Sequence, residues 1–249
     1  IDNLSGSLQL TIKSLISEKK FRPFWQSYEF VSSIHKLLEL DKLYAGHNSA
    51  STLFIALPEK AGDLSTRMKQ WLIDPTYNES HSLFPKLKAL IKDYNCSVGL
   101  HGSFYSITDD LFNLEKQRLS DALGRKIIFG RQHWLNMPNP KAYEYLNAQQ
   151  IKLDGTLGWN GDCGFRGGMA RPFELLLENN TKIAVIPLLI MDGPLIMDMG
   201  LNQQDQIIFI KNMLNLVLSV NGCVSINWHD RAAHKDYAWY VIYEELLNH

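Results

Sequence analysis

What most constrains this chain is a set of short, mostly apolar runs. "STLFIAL" (51–57), "IIFG" (127–130) and "IAVIPLLI" (183–190) are close to continuously apolar rather than alternating, and "SVGL" (97–100), "IKLD" (151–154) and "GCVSIN" (222–227) are read with them as strands. A strand with one wet face alternates; a strand covered on both faces does not, and covered strands belong to parallel sheets. Between the runs lie segments of helical spacing at 4–18, 83–94, 108–124, 139–150, 203–219 and about 236–247. Thr108 is placed to cap the third of these and Gly124 to end it, and Pro140 suits the first turn of the fourth. Strands alternating with helices predict an α/β fold around a parallel sheet.

At 249 residues, a single domain over 1–249 is the simplest reading, with no internal repeat, low-complexity tract or linker. The three cysteines, Cys96, Cys163 and Cys223, are scattered and form neither a disulfide framework nor a CxxC site. A net charge of −1 with no basic stripe argues against nucleic acid. No apolar run reaches membrane-spanning length and the first residues do not resemble a secretory leader, so a cytoplasmic location is expected. About six strands follow the first helix and a barrel needs one more. Ile1-Asp2 therefore reads as the tail of a first strand that is truncated before residue 1.

In parallel α/β folds the chemistry collects at the C-terminal ends of the strands. Here those ends carry Asp2, His101, Arg131 with His133 just beyond, Asp154, Asp192, and Trp228-His229-Asp230. Each alone has an ordinary reading: a histidine after a strand is commonly a hydrogen-bonded loop residue, and Asp154-Gly155 is a common turn pair. Their recurrence at one topological position points to a site. Two imidazoles and a carboxylate suit a divalent transition metal, zinc first, with iron, nickel or cobalt accepting the same donors. Such an ion lowers the pKa of bound water and polarises a carbonyl. His229, on another strand, is the natural proton donor. Loop 155–173 carries Trp159, Phe165, Arg166 and Arg171; of these, Trp159, Arg166 and Arg171 suit a sugar ring with acidic substituents, or equally a packed lid.

The chain resembles a divergent branch of the polysaccharide deacetylases with the NodB homology domain, carbohydrate esterase family 4. "VGLHGSFYS" (98–106) resembles the family's second motif, "GRQHW" (130–134) its arginine motif, "KLDGTLGW" (152–159) its aspartate motif and "CVSINWH" (223–229) its last histidine motif. "GFRGGMARPFELL" (164–176) and "IPLLIMDGPL" (186–195) are similar to stretches of the divergent branch. The resemblance implies a distorted (β/α)7 barrel, a metal held by an aspartate and two histidines, and deacetylation of an N- or O-acetylated sugar in bacterial surface-polysaccharide assembly such as that of O-antigen. It implies Asp2 as metal ligand, with the catalytic base before residue 1. Arg131 would orient that base or Asp2, and Asp154 would bond His229. Ser103 and Tyr105, in the second motif, would contact substrate. The chain departs from the pattern where Tyr105 occupies the place of a second histidine. Either His133 replaces that ligand, giving Asp2, His101 and His133, or the metal site is lost and the protein is an inactive carbohydrate-binding relative. A metal-dependent amidase acting on a small non-sugar amide is the other alternative.

Overall fold

The apolar run 183–190 does not form one strand. Pro187 cannot donate to a ladder, and the run divides there. In the computed structural model, which describes residues 30–44, 50–60, 62–74, 83–230 and 239–248, the strands are β1 (Thr52–Ile55), β2 (Ser97–Gly102), β3 (Phe129–Gln132), β4 (Leu153–Asp154), β5 (Phe173–Leu176), β6 (Lys182–Val185), β7 (Leu188–Met191) and β8 (Ser225–Asn227). The helices are α1 (Phe30–Tyr44), α2 (Leu64–Ile73), α3 (Leu83–Asp93), α4 (Phe112–Leu123), α5 (Ala142–Ala148), α6 (Gln203–Ser219) and α7 (Tyr240–Leu247).

One sheet runs β1-β2-β3-β4-β6-β5 and a second pairs β7 with β8. All ladders are parallel except the β5–β6 hairpin. The break at Pro187 lets one stretch of chain serve both sheets. Ile186 still donates to the Asp154 carbonyl at 2.9 Å, whereas Ser225 donates to the Pro187 carbonyl at 2.7 Å. The wall of strands thus turns a corner at Ile186-Pro187, as the wall of a barrel must. Among the described residues no ladder joins β8 back to β1. Across that gap α1 packs on α7: the Tyr243 hydroxyl donates to Asp41, and Lys36 sits 3.2 Å above the Tyr240 ring.

β2, β3 and β7 are largely buried on both faces, because helices cover one and packed side chains fill the other. One core cluster gathers Leu57, Leu100, Phe112, Leu119, Leu146 and Ile151, all fully buried, beneath β1–β4. A second joins Leu189, Ile190, Leu195 and Ile210 with α6 and α7 around β7–β8. Gly99 is required by its neighbour: in register with Phe54, a Cβ there would stand 2.5 Å from the Phe54 ring.

Several expectations need correction. Thr108 does not cap α4; its hydroxyl donates to the Tyr105 carbonyl at 3.2 Å, and the helix starts at Phe112 after an uncapped Leu111. Gly124 does end that helix, in the left-handed conformation. The β5 hairpin strand, α1 and α2 lie where no element is predicted. The predicted helix 4–18 and Asp2 lie outside the described residues.

Candidate active site

The strand register sets the polar residues side by side. His101 pairs with Arg131, and Gly130 beside it pairs with Asp154, so three chemistry-bearing side chains share one end of three adjacent strands. His133 opens the 3-10 turn that follows β3, and its ring meets His101 edge-on at 4.9 Å between centroids. Asp192 directly follows β7, and His229 lies two residues past β8.

His101 is half-buried, and its buried Nδ1 has no close hydrogen-bond partner among the described residues. Burial, and then the nearby His133, His229 and Arg131, hold it well below the ordinary imidazole range, against the Arg131 backbone, which pulls the other way. It is therefore a neutral ring with a lone pair to give. The other two histidines are each held by a buried carboxylate. His133 Nδ1 lies 2.6 Å from Asp74 Oδ1, and His229 Nδ1 lies 2.5 Å from Asp192 Oδ1. Asp192 is fully buried and also accepts from the backbone of His229 at 3.0 Å and of Gly193 at 2.8 Å. The site is thus two carboxylate–imidazole pairs flanking a neutral histidine.

The sequence expectation that Asp154 partners His229 is not met. Asp154 turns instead to Thr156, accepting from its backbone and its hydroxyl at 2.8 Å each. Burial pushes its carboxyl up to about 6, against the Thr156 bonds and Arg131, which pull it down. The carboxylates that Arg131 was expected to orient, Asp2 or a base before residue 1, lie outside the described residues. The Arg131 guanidinium donates to the Gly155 carbonyl at 3.0 Å, to Asn227 Oδ1 at 2.8 Å and to Ser225 Oγ at 3.2 Å, with the Phe54 ring 4.4 Å away. Burial pulls its pKa down to about 10, so it remains a cation at neutral pH. It acts as a strut from β3 across to β8.

The predicted substrate contacts separate. Ser103 is buried, and its hydroxyl donates to Glu115 Oε1 at 2.5 Å, so it serves the loop rather than a ligand. Tyr105 is half-buried with its ring edge-on to Phe104. Trp159 is 45% exposed, and the Arg166 guanidinium lies 5.3 Å from its ring, held by a 2.8 Å bond to the Gly158 carbonyl. Arg171 does not join them: both Nε and Nη2 donate to the Val220 carbonyl at the end of α6. That helix runs back against the strands, so its last turn lies at the end opposite His101.

Two partners were missed by sequence reasoning. Asp192 stood among the strand-end residues but without a role; what assigns it is β7–β8 pairing, which sets Met191 beside Asn227. Asp74 ends a helix that the sequence analysis did not place, and nothing in the sequence relates it to His133, 59 positions away. Among the described residues, no group of three His, Cys, Asp or Glu side chains stands ready to hold a metal. Of the three residues expected as metal ligands, His101 and His133 lie side by side, and Asp2 lies outside the described residues.

No known family's sequence profile matches the chain, and no curated protein does. Solved structures do. A putative polysaccharide deacetylase from Mycobacterium smegmatis superposes with a TM-score of 0.61 at 15% identity, over 97% of this chain and 79% of that one. Puue allantoinase gives 0.59 at 13%, over 88% and 67%. A probable polysaccharide deacetylase from Pseudomonas aeruginosa PAO1 gives 0.53 at 11%, over 88% and 65%. At such identities the likeness speaks for the fold alone, and the chain has the α/β fold of the NodB-type polysaccharide deacetylases.

Proposed function

We propose that this protein is a metal-dependent deacetylase acting on an N- or O-acetylated sugar, in the cytoplasm, during assembly of a bacterial surface polysaccharide such as O-antigen. The observation that carries this reading is the neutral His101 set between the Asp74–His133 and Asp192–His229 pairs at one end of the strands. His101 and His133 hold the metal, zinc first among the candidates, and Asp2 is the third ligand. Their donor chemistry fits: burial holds His101 uncharged, so one ring nitrogen keeps a lone pair to give.

When bound, the metal supplies Lewis acidity toward the acetyl carbonyl and acidity to water. The chain's own part is positioning and proton transfer. Asp192 accepts from His229 Nδ1, which fixes the ring and leaves Nε2 to carry the proton given to the departing nitrogen or oxygen. Asp192 also stabilises the imidazolium that must precede that transfer. Arg131 ties β3, the β4 end and β8 together beneath the three histidines. Trp159 offers an apolar face to a sugar ring and Arg166 a cation beside it.

The test is acetate release from acetylated sugars by the zinc-reconstituted protein, with His229→Ala alongside. Activity on sugars that falls steeply in the variant supports the proposal; equal release by both refutes it. The likeness to an allantoinase favours a second reading, a metal-dependent amidase acting on a small non-sugar amide. Turnover of cyclic or linear ureides and amides, with none of acetylated sugars, would establish that instead.

A further inference from the structure

Asp74 belongs to none of the motifs, yet it is the most constrained carboxylate near His133. It follows the last turn of α2, its backbone N–H donates to the Gln70 carbonyl at 2.8 Å, and only 1% of the residue is exposed. Its carboxylate accepts from the backbone N–H of Phe104, at 3.1 Å to Oδ1 and 3.3 Å to Oδ2, and approaches His133 Nδ1 at 2.6 Å. The Phe104 carbonyl in turn accepts from Asn136 Nδ2 at 2.7 Å. One carboxylate therefore binds together α2, the loop that leaves His101, and the turn that carries His133.

The turn needs such a hold. Trp134 and Leu135 both sit in the left-handed region, at φ 58° and 51°. Neither is a residue that favours it, and such strain persists only where the surroundings enforce it. Leu135 is buried against Leu188 and Met191, which fixes one side of the turn. Asp74 fixes the side where the imidazole lies.

We infer that Asp74 is a positioning residue for metal binding: it sets the tautomer and angle of His133, so that Nε2 carries the lone pair. This rests on the proposed reading of His133 as a ligand. A carboxylate can only accept, so the nitrogen facing it must carry the proton. A ligating histidine held in this way by an outer carboxylate typically loses about 10–100-fold in metal affinity when the carboxylate is changed. Asparagine makes the sharpest variant. Its carbonyl still accepts from Phe104, so the loop stays tied, but its amide can donate as readily as its carbonyl accepts. Both tautomers of His133 then fit, and the negative charge is gone.

The experiment uses the full-length metal-free protein, its Asp74→Asn and Asp74→Ala variants, and His133→Ala as reference. Cobalt(II) is titrated and read by its visible absorption. The His133 tautomer is read separately from ring nitrogen shifts of the metal-free protein, at a pH where the ring is neutral. The expected result is about a 10–100-fold loss of cobalt affinity in Asp74→Asn, with the Nδ1–H form giving way to a mixture. Asp74→Asn with unchanged affinity and unchanged tautomer, while His133→Ala loses cobalt, overturns the inference alone. Undiminished cobalt affinity in His133→Ala overturns the ligand assignment beneath it. The tautomer spectra then still report whether Asp74 governs the ring.

Discussion

Glu115 gives the most quantitative forecast. Its carboxyl is fully buried and accepts from the Ser103 backbone at 3.0 Å, the Ser103 hydroxyl at 2.5 Å and the Glu59 backbone at 3.0 Å. It thereby anchors the loop that leaves His101. Burial pushes its pKa from the ordinary 4.5 to about 7, against those three bonds, which lower it. The folded protein thus holds this proton where the unfolded chain has released it. For an acid raised on folding, the contribution to stability is present at low pH and is lost as pH rises through the folded value. The whole window is worth about 3 kcal/mol. Between about pH 5.5 and about pH 8.5 the loss is about 2 kcal/mol, or roughly 4–8 °C in melting temperature for a chain of this size. Glu115→Gln removes the titration but leaves an amide N–H facing the Ser103 N–H, a clash of donors costing about 1–3 kcal/mol at every pH. The variant is therefore less stable at acid pH, and the two proteins converge as pH rises. Asp154 titrates in the same window but is common to both and cancels. Denaturant unfolding of both proteins across this range measures the difference. Parallel pH profiles, or a gap that widens toward alkaline pH, would refute the reasoning.

Further outcomes follow from the site. His101→Ala should abolish stoichiometric metal uptake with little change in circular dichroism, as read by elemental analysis of the purified protein; retained metal removes His101 as a ligand. His229→Ala should lose about 10²–10⁴-fold in deacetylation rate while keeping its metal, and loss of both would move it into the coordination sphere. Trp159→Ala should raise KM for an acetylated sugar with little movement of the melting temperature, because its ring is half exposed; a large thermal loss at unchanged KM marks it as packing. Arg131→Met should cost about 1–3 kcal/mol in denaturant unfolding, since the Gly155 carbonyl and Asn227 Oδ1 lose their donor.

The sequence disclosed the layout of the strands better than the partnerships between side chains. Continuous apolar runs announce covered parallel strands, and their C-terminal residues fell at one end because parallel register allows nothing else. Pro187 inside the run 183–190 was the visible sign of the corner, but a single proline does not say that two sheets meet there. Asp192 and Asp154 looked equivalent in sequence, both being acids at strand ends. Only the local fold separates them: Thr156, two residues on, turns back onto Asp154, while Asp192 directly follows the strand that pairs with the one leading to His229. Asp74 was illegible because it belongs to no motif and its partner His133 lies 59 positions further along the chain.

The strut formed by Arg131 has a consequence in time. Its acceptors on β8 lie 94 and 96 positions further along the chain. At a synthesis rate of about 5–20 residues per second, they leave the ribosome roughly 5–20 s after the arginine does. Until then β3 carries a guanidinium destined for the interior with only the Gly155 carbonyl to receive it, and closing so long a loop is slow. The pocket is therefore complete only once β8 docks, and the same event brings His229 to Asp192 and seats the buried cation.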